Sequence, residues 1–391
     1  MYQRFFDIKY VIIFFFIYYG ILSSFGYGND GDTYLMLKAG QNYLINSDYQ
    51  PSRFQGSLIP ELIISATSLI GGHYLSNLIS VILGVGTLYI FHLLLSKMFK
   101  KKETTLIILI VGFNPYFVIA SSTSIDYIYS LFFIFLGSLL LFKNFRIIAA
   151  ISFALALSSR LSNAMLVGLV YLYFILPTVK TDKNKFFILF LSGLFSLILT
   201  LALYIPAYTS AGNTLSFLSY AIGDWSASQY VARFIYKNIA LFGMITSIFI
   251  YLSFFYYITT QKIHTDHSKL FYFAVCAFII EEALFLKIPL EISYLLPAVF
   301  LLLPLYIHVT KSSFFGYILL FLSIFYNFIN IDFLKMEYTM ENPKATDMKE
   351  ATGAKIGLFI KQGAVYNDIK TRKASQDEYF NTNHLPIMKV N

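Results

Sequence analysis

Apolar runs long enough to cross a bilayer recur through residues 8–331, and they leave few folds open. A helix needs about 20 apolar residues to cross about 30 Å of hydrocarbon, and within that layer every backbone N–H and C=O must be paired inside the protein. Continuous runs meet this requirement as helices. A transmembrane barrel would alternate polar and apolar residues over segments of about ten, and these runs do not alternate. Only 13% of the residues are charged, about half the share usual in a soluble domain. The chain reads as an all-α polytopic membrane protein.

Hydropathy divides the chain into eleven expected spans: 8–25, 74–96, 104–120, 124–142, 147–158, 161–177, 186–206, 234–258, 270–286, 294–309 and 314–331. The first follows Arg4 and Lys9 without a small-residue cleavage site, so it reads as a retained helix. With the N-terminus inside, the inner loops carry 14 basic residues, among them Lys97, Lys100, Lys143 and Lys183, and the outer segments before the tail carry six. The positive-inside rule supports this orientation. The acids run the other way, with four inside and nine outside. Insertion does not demand that acids gather on one face, so their gathering points to a site there. The net charge of +8 sits in short loops between spans, which suits anionic lipid headgroups and not nucleic acid.

Residues 1–331 thus form a transmembrane domain, with 26–73 as its first outer loop and 332–391 as an outer tail, placed there by the odd span count. Within the loop, Thr33–Asn46 and Pro60–Ile70 are too short to span and suit helices lying on the surface, the second stopped by Gly71-Gly72. A later outer loop, 207–233, holds the single tryptophan, Trp225, beside Asp224. The tail is polar, with Ala354–Ile369 a possible folded piece.

Asp30-Gly31-Asp32, just past the first span, places two carboxylates where both can enter one pocket. Such a pair can bind a divalent cation or take a proton from an attacking hydroxyl; equally, it is turn chemistry, and Asp32 suits a helix cap. Arg53 on the outer face suits a phosphate or an ordinary surface position. Glu61 follows Pro60, where the helix dipole alone favours a carboxylate. Asp126 and Arg160 each lie in a short turn between apolar spans, an acid and a base near-buried at one interface, although Arg160 can also snorkel. Glu281 and Glu282 sit inside a span near its outer end, and Glu291 and Tyr294 follow with Lys287 as a nearby cation able to meet a phosphate. The single cysteine, Cys276, excludes an intramolecular disulfide, and His264 and His267 read as a solvated loop. No Ser-His-Asp arrangement, P-loop or zinc signature occurs.

Five short pieces in a fixed order resemble a known family: Asp30-Gly31-Asp32-Thr33-Tyr34-Leu35, Asn114-Pro115, Ser124-Ile125-Asp126-Tyr127, Ser159-Arg160-Leu161-Ser162-Asn163, and Tyr294-Leu295-Leu296-Pro297. Together they look like the GT-C glycosyltransferases, and most like their bacterial protein-mannosyltransferase-like branch. The resemblance implies a multi-span enzyme that takes a sugar from a polyprenyl-phosphate donor and passes it to a glycan, lipid or cell-wall acceptor. It implies Asp32 as general base with Asp30 second. Arg53, Arg160 or Lys287 would hold the donor phosphate, and Asp126, Glu61, Glu281, Glu282, Glu291 and Tyr294 would line the substrate pocket. No cofactor is required; a divalent cation, if used, would bind Asp30 and Asp32. The chain departs from the eukaryotic members, which have an adjacent Asp-Glu pair and a large lumenal domain, and this weakens a protein acceptor. Usage rich in Ile, Lys, Asn, Phe and Tyr looks like an AT-rich bacterial genome, which would place the site on the extracytoplasmic face of the inner membrane. Two other readings stay open, a polysaccharide polymerase of the O-antigen or capsule type and a flippase or transporter of lipid-linked sugars.

Overall fold

The computed structural model describes residues 7–53, 56–214, 227–260, 269–310, 312–338 and 351–382. Trp225, Asp224, His264 and His267 lie outside the described residues. The fold is mostly helical. Helix α1 (Ile8–Leu22) is capped by the Asp7 side chain, which accepts from the Lys9 N–H. Helix α2 (Gly31–Asn46) begins at Asp30, whose carboxylate accepts from the Asp32 N–H at 3.0 Å, and Asp32 adds a second acid in its first turn. An acceptor and a negative charge there satisfy and complement the free N–H groups of the helix end.

Helix α3 (Leu58–Leu95) is two helices joined at Gly71 and Gly72. Gly72 has φ 59° and ψ −151°, open only to a residue without a Cβ. The short stretch before it covers the expected Pro60–Ile70 helix, and the longer stretch after it runs into the bundle. Gly40 of α2 lies against the Glu61 backbone carbonyl and the Ser65 hydroxyl, where any side chain would collide, so α2 and the first stretch of α3 pack closely.

The chain continues through α4 (Lys101–Gly112), α5 (Pro115–Ala120), α6 (Tyr127–Phe142), α7 (Arg146–Ser159), α8 (Ala164–Ile175), α9 (Lys183–Leu203) and α10 (Ile205–Ser210). It then forms α11 (Ala227–Phe242), α12 (Met244–Thr260), α13 (Lys269–Lys287), α14 (Leu296–Thr310) and α15 (Ser313–Phe328). The core lies among α1, α3, α4, α6 and α14, with Phe15, Tyr19, Phe117, Phe300 and Tyr306 fully or almost fully buried. Outside, α9 presents Phe187, Phe190, Leu194, Leu197 and Leu201 to the surroundings. Exposed apolar residues in such a band mark a surface that meets lipid or another protein.

The eleven expected spans reduce to fewer. Among the described residues five helical stretches are long and apolar enough to cross a membrane: Ile8–Phe25, Leu58–Leu95, Leu161–Thr178, Lys183–Ser210 and Ile292–Thr310. A sixth is added if α11 and α12, bent by 94°, count as one. The reasons are local. Asn114-Pro115 breaks the expected 104–120 span into α4 and α5, because the Asn114 side chain caps a new helix at the Phe117 N–H. Helices α6 and α15, with 16 residues each, and α7, with 14, extend only about 21–24 Å at 1.5 Å per residue. Any eighteen-residue stretch of α13 holds three charges drawn from Lys269, Glu281, Glu282 and Lys287. The bend at Gly243 follows from its φ of 80° and from the Tyr326 ring packed where a Cβ would stand.

The tail adds a two-stranded sheet to the mostly helical fold. Strands β1 (Ile329–Tyr338) and β2 (Ala351–Gln362) pair antiparallel, from Ile329 opposite Gln362 to Tyr338 opposite Ala351, and helix α16 (Ala364–Thr382) follows. The expected boundary at 331/332 falls inside β1. Span parity no longer places the tail, but contacts do. The Arg372 side chain is fully buried; Nη1 donates to the carbonyls of Leu22 at 2.8 Å and Ser122 at 3.0 Å, and Nη2 to the Ser122 hydroxyl at 2.9 Å. The Tyr379 ring stacks on Tyr34 with centroids 4.6 Å apart. The tail therefore sits on the end of the bundle that carries Asp30 and Asp32. The loops at Lys97 and Lys143 lie at the other end, where the Lys97 ammonium covers the Phe142 ring at 3.9 Å.

Candidate active site

A buried hydrogen-bond network fixes the segments that carry the acids. The Asn77 Nδ2 donates to the carbonyls of Ser23 at 2.9 Å and Gly26 at 2.7 Å, and its Oδ1 accepts from Ser124 Oγ at 2.6 Å. Ser124 Oγ also meets Ser76 Oγ at 2.6 Å, and the Ser124 N–H donates to the Tyr27 carbonyl at 2.8 Å. Asn77 thus ties the end of the first span to the turn before Asp126. Polar groups with this many partners hold one arrangement, because any alternative leaves a buried donor or acceptor unpaired.

At the centre stands Asp126, its side chain 1% exposed. Oδ2 accepts from Arg53 Nη2 at 2.5 Å, and Oδ1 from Arg160 Nη1 at 3.1 Å. The Ser57 hydroxyl lies 3.1 Å from Oδ2. Burial by itself would raise the Asp126 pKa, but the two guanidinium groups hold it below the usual carboxylate range. Arg53 also reaches Asp32 Oδ2 at 3.1 Å through Nη1, so one arginine joins the first loop to the turn before α6. The Arg160 guanidinium lies over the Tyr127 ring at 4.2 Å and the Tyr294 ring at 4.7 Å. Planar stacking between two rings with an edge on a carboxylate is a guanidinium geometry that an ammonium cannot copy.

The two acids of the first loop are in different surroundings. Asp32 is bonded to Arg53. Asp30 lines a polar cavity of about 750 Å³ together with Asn29, Glu291, Ser293 and residues of the tail. Burial and the neighbouring Asp32 charge push the Asp30 carboxyl up to about 7. Glu291 is raised too, chiefly by burial. A second cleft, apolar and of about 130 Å³, runs between α6, α8, α13 and α14. Its lining includes Leu131, Leu166 and Pro297. These stand four, three and three residues beyond Tyr127, Asn163 and Tyr294, about one helical turn in each case. The apolar groove therefore comes within about one helical turn of the residues around Arg160, and Asp30 lines the polar cavity.

Of the expected site residues, Asp30, Asp32, Arg53, Asp126, Arg160, Glu291 and Tyr294 come together. Glu61 does not join them. Fully buried, it accepts from Tyr49 Oη at 2.6 Å, Ser52 Oγ at 2.5 Å and the N–H groups of Ser52 and Ser57 at 3.1 and 3.2 Å. Its carboxylate holds the loop that delivers Arg53. Glu281 and Glu282 lie on α13 away from the arginines. Glu282 accepts from Asn238 Nδ2 at 3.0 Å and borders a separate apolar cleft, while the buried Glu281 Oε1 has no hydrogen-bond partner among the described residues. Lys287 is exposed at the end of α13, and the lysine within electrostatic reach of Glu291 is Lys237. Asp30 and Asp32 were the pair expected for a cation, and no third His, Cys, Asp or Glu joins them into a ligand group among the described residues.

Sequence reasoning missed Ser57, Tyr127 and the tail. The Tyr127 hydroxyl is buried beneath Arg160 with no hydrogen-bond partner among the described residues. Asp368 and Arg372, four apart, pair through Arg372 Nε at 2.7 Å, and that spacing was the one readable signal that α16 forms. No protein-family model, curated protein or solved structure matches this chain.

Proposed function

We propose that the protein is a membrane glycosyltransferase that moves a sugar from a polyprenyl-phosphate donor to a glycan, lipid or cell-wall acceptor. The observation that carries this reading is an adjacency. An apolar groove comes within about one helical turn of the residues around Arg160, two arginines and their acids follow, and Asp30 lines a polar cavity. A substrate with an isoprenoid tail, one phosphate and a sugar has these three parts in this order. The tail lies in the groove, the phosphate beside Arg160 and Arg53, and the sugar toward the cavity. Lys287, exposed and apart, drops out as a phosphate ligand, which leaves Arg160 and Arg53 to meet the phosphodiester of the donor.

In the reaction the acceptor hydroxyl oxygen forms a bond to the anomeric carbon. The bond from that carbon to the phosphate oxygen breaks, its electron pair leaves with the phosphate, and the hydroxyl proton passes to a carboxylate. The resemblance ranks Asp32 first for this proton, but the surroundings favour Asp30. Asp30 faces the cavity and has a carboxyl near 7, close to the working pH of a general base. Asp32 orients Arg53. The arginines stabilise the charge that develops on the leaving phosphate. The basic loops at the opposite end of the bundle favour a site on the extracytoplasmic face, in keeping with a bacterial inner membrane.

The test is release of free polyprenyl phosphate from a polyprenyl-phosphate sugar by the purified protein in detergent. Release by the wild type, absent in Asp30→Asn, is the expected result. Movement of the intact lipid-linked sugar across liposomes without cleavage would instead identify a transporter.

A further inference from the structure

The tail does more than cover the site, because it builds one wall of the polar cavity. Asn330 and Asp332 of β1, Lys361 of β2 and Asn367 of α16 face Asn29, Asp30 and Glu291. The volume of about 750 Å³ falls within the range of about 300–1,000 Å³ typical of small-ligand sites. Two of its acids are matched: Lys361 Nζ donates to Asp332 at 2.7 Å, and Arg372 pairs with Asp368. Asp30 and Glu291 have no ion-pair partner among the described residues. Asn330 Oδ1 is buried and has no hydrogen-bond partner among them either. Three tyrosines, Tyr116, Tyr236 and Tyr326, complete the lining.

Carboxylates outside ion pairs and an unpartnered carboxamide oxygen accept hydrogen bonds from hydroxyl groups, and tyrosine rings cover the apolar faces of sugar rings. The same acids repel a second anion, which is selection by unfavourable contact. We infer that this cavity is the acceptor subsite, that it takes the uncharged end of a glycan, and that the tail supplies its recognition through Asn330 and Asn367. The inference rests on the transferase reading for the word acceptor, but not for the saccharide binding itself.

Saturation-transfer NMR on the full chain in detergent tests the binding. The probes are neutral oligosaccharides ending in mannose, glucose, galactose or N-acetylglucosamine, each beside a uronic-acid-ended counterpart. At least one neutral probe binds, and its uronate counterpart binds about tenfold or more weakly. Asn330→Leu weakens the neutral probe about tenfold, and Asn367→Ala, an exposed site that leaves the fold intact, weakens it several-fold. Equal binding of the uronate, no binding by any probe, or binding indifferent to both variants overturns the inference. Release of polyprenyl phosphate to water, without acceptor, separates the two readings. A wild type that binds neutral saccharides in a variant-sensitive way but never cleaves the donor loses the transferase reading and keeps the saccharide site.

Discussion

Two pairs of acids lie close to the same end of the bundle, and they have opposite surroundings. Asp126 and Asp32 are joined through Arg53, with Arg160 stacked beside them between two tyrosines. Glu281 and Glu282 are adjacent on α13, and among the described residues the hydrogen bond to them comes from the Asn238 amide. Both pairs read alike in a sequence, as carboxylates that the bilayer edge disfavours. Only the first adjoins Asp30, which lines a polar cavity, with an apolar groove about one helical turn beyond Tyr127. Depth by itself does not mark a site; what surrounds the charge does.

Breaking the first pair has the largest effect. Asp126→Ala leaves Arg53 and Arg160 without their shared carboxylate, and removing one partner of a buried ion pair costs about 3–5 kcal/mol. The variant gives little folded protein, seen as loss of a thermal transition in detergent. Next is Arg160→Lys, which keeps the charge and loses the stacked, carboxylate-bonded plane. Sugar transfer falls by about 10²–10³-fold while the thermal transition moves little. Asp32→Asn loosens Arg53 without touching the cavity, and transfer falls on the order of tenfold to a hundredfold through misplacement.

The pH dependence has a definite sign. A base must be deprotonated to act, and burial with the Asp32 charge lifts Asp30 to about 7. Transfer therefore rises with pH through a midpoint near 7, and Asp32→Asn moves that midpoint down by removing the neighbouring negative charge. At the small end, Glu281→Gln changes stability by about 1 kcal/mol or less and leaves transfer at the wild-type rate. A large loss of transfer in that variant would erase the contrast between the two pairs.

Much of this contrast was legible because charge stands out against an apolar background. Asp30, Asp32, Asp126 and Arg160 could be singled out one by one, and the positions of Gly71 and Gly72 marked the break in α3. Partners were harder to read. Arg53 and Asp126 are 73 residues apart and Arg372 and Leu22 are 350 apart, so no local pattern joins them. Run-length hydropathy overcounted spans because it does not register a cap such as Asn114, a bend such as Gly243, or a helix a few residues too short. The tail was read as polar filler with one folded piece, because its burial depends on carbonyls and rings of a distant segment. Lys287 was named as the cation by closeness in sequence to Glu291, where the fold brings Lys237 of a different helix near.

The most direct measurement compares three purified proteins in one assay, release of polyprenyl phosphate from a polyprenyl-phosphate sugar in the presence of a neutral glycan acceptor. The wild type and Glu281→Gln release it at equal rates, and Asp30→Asn, folded to the same melting temperature, releases none. Release by Asp30→Asn at the wild-type rate, or no release by the wild type with any sugar donor of this class, contradicts the account.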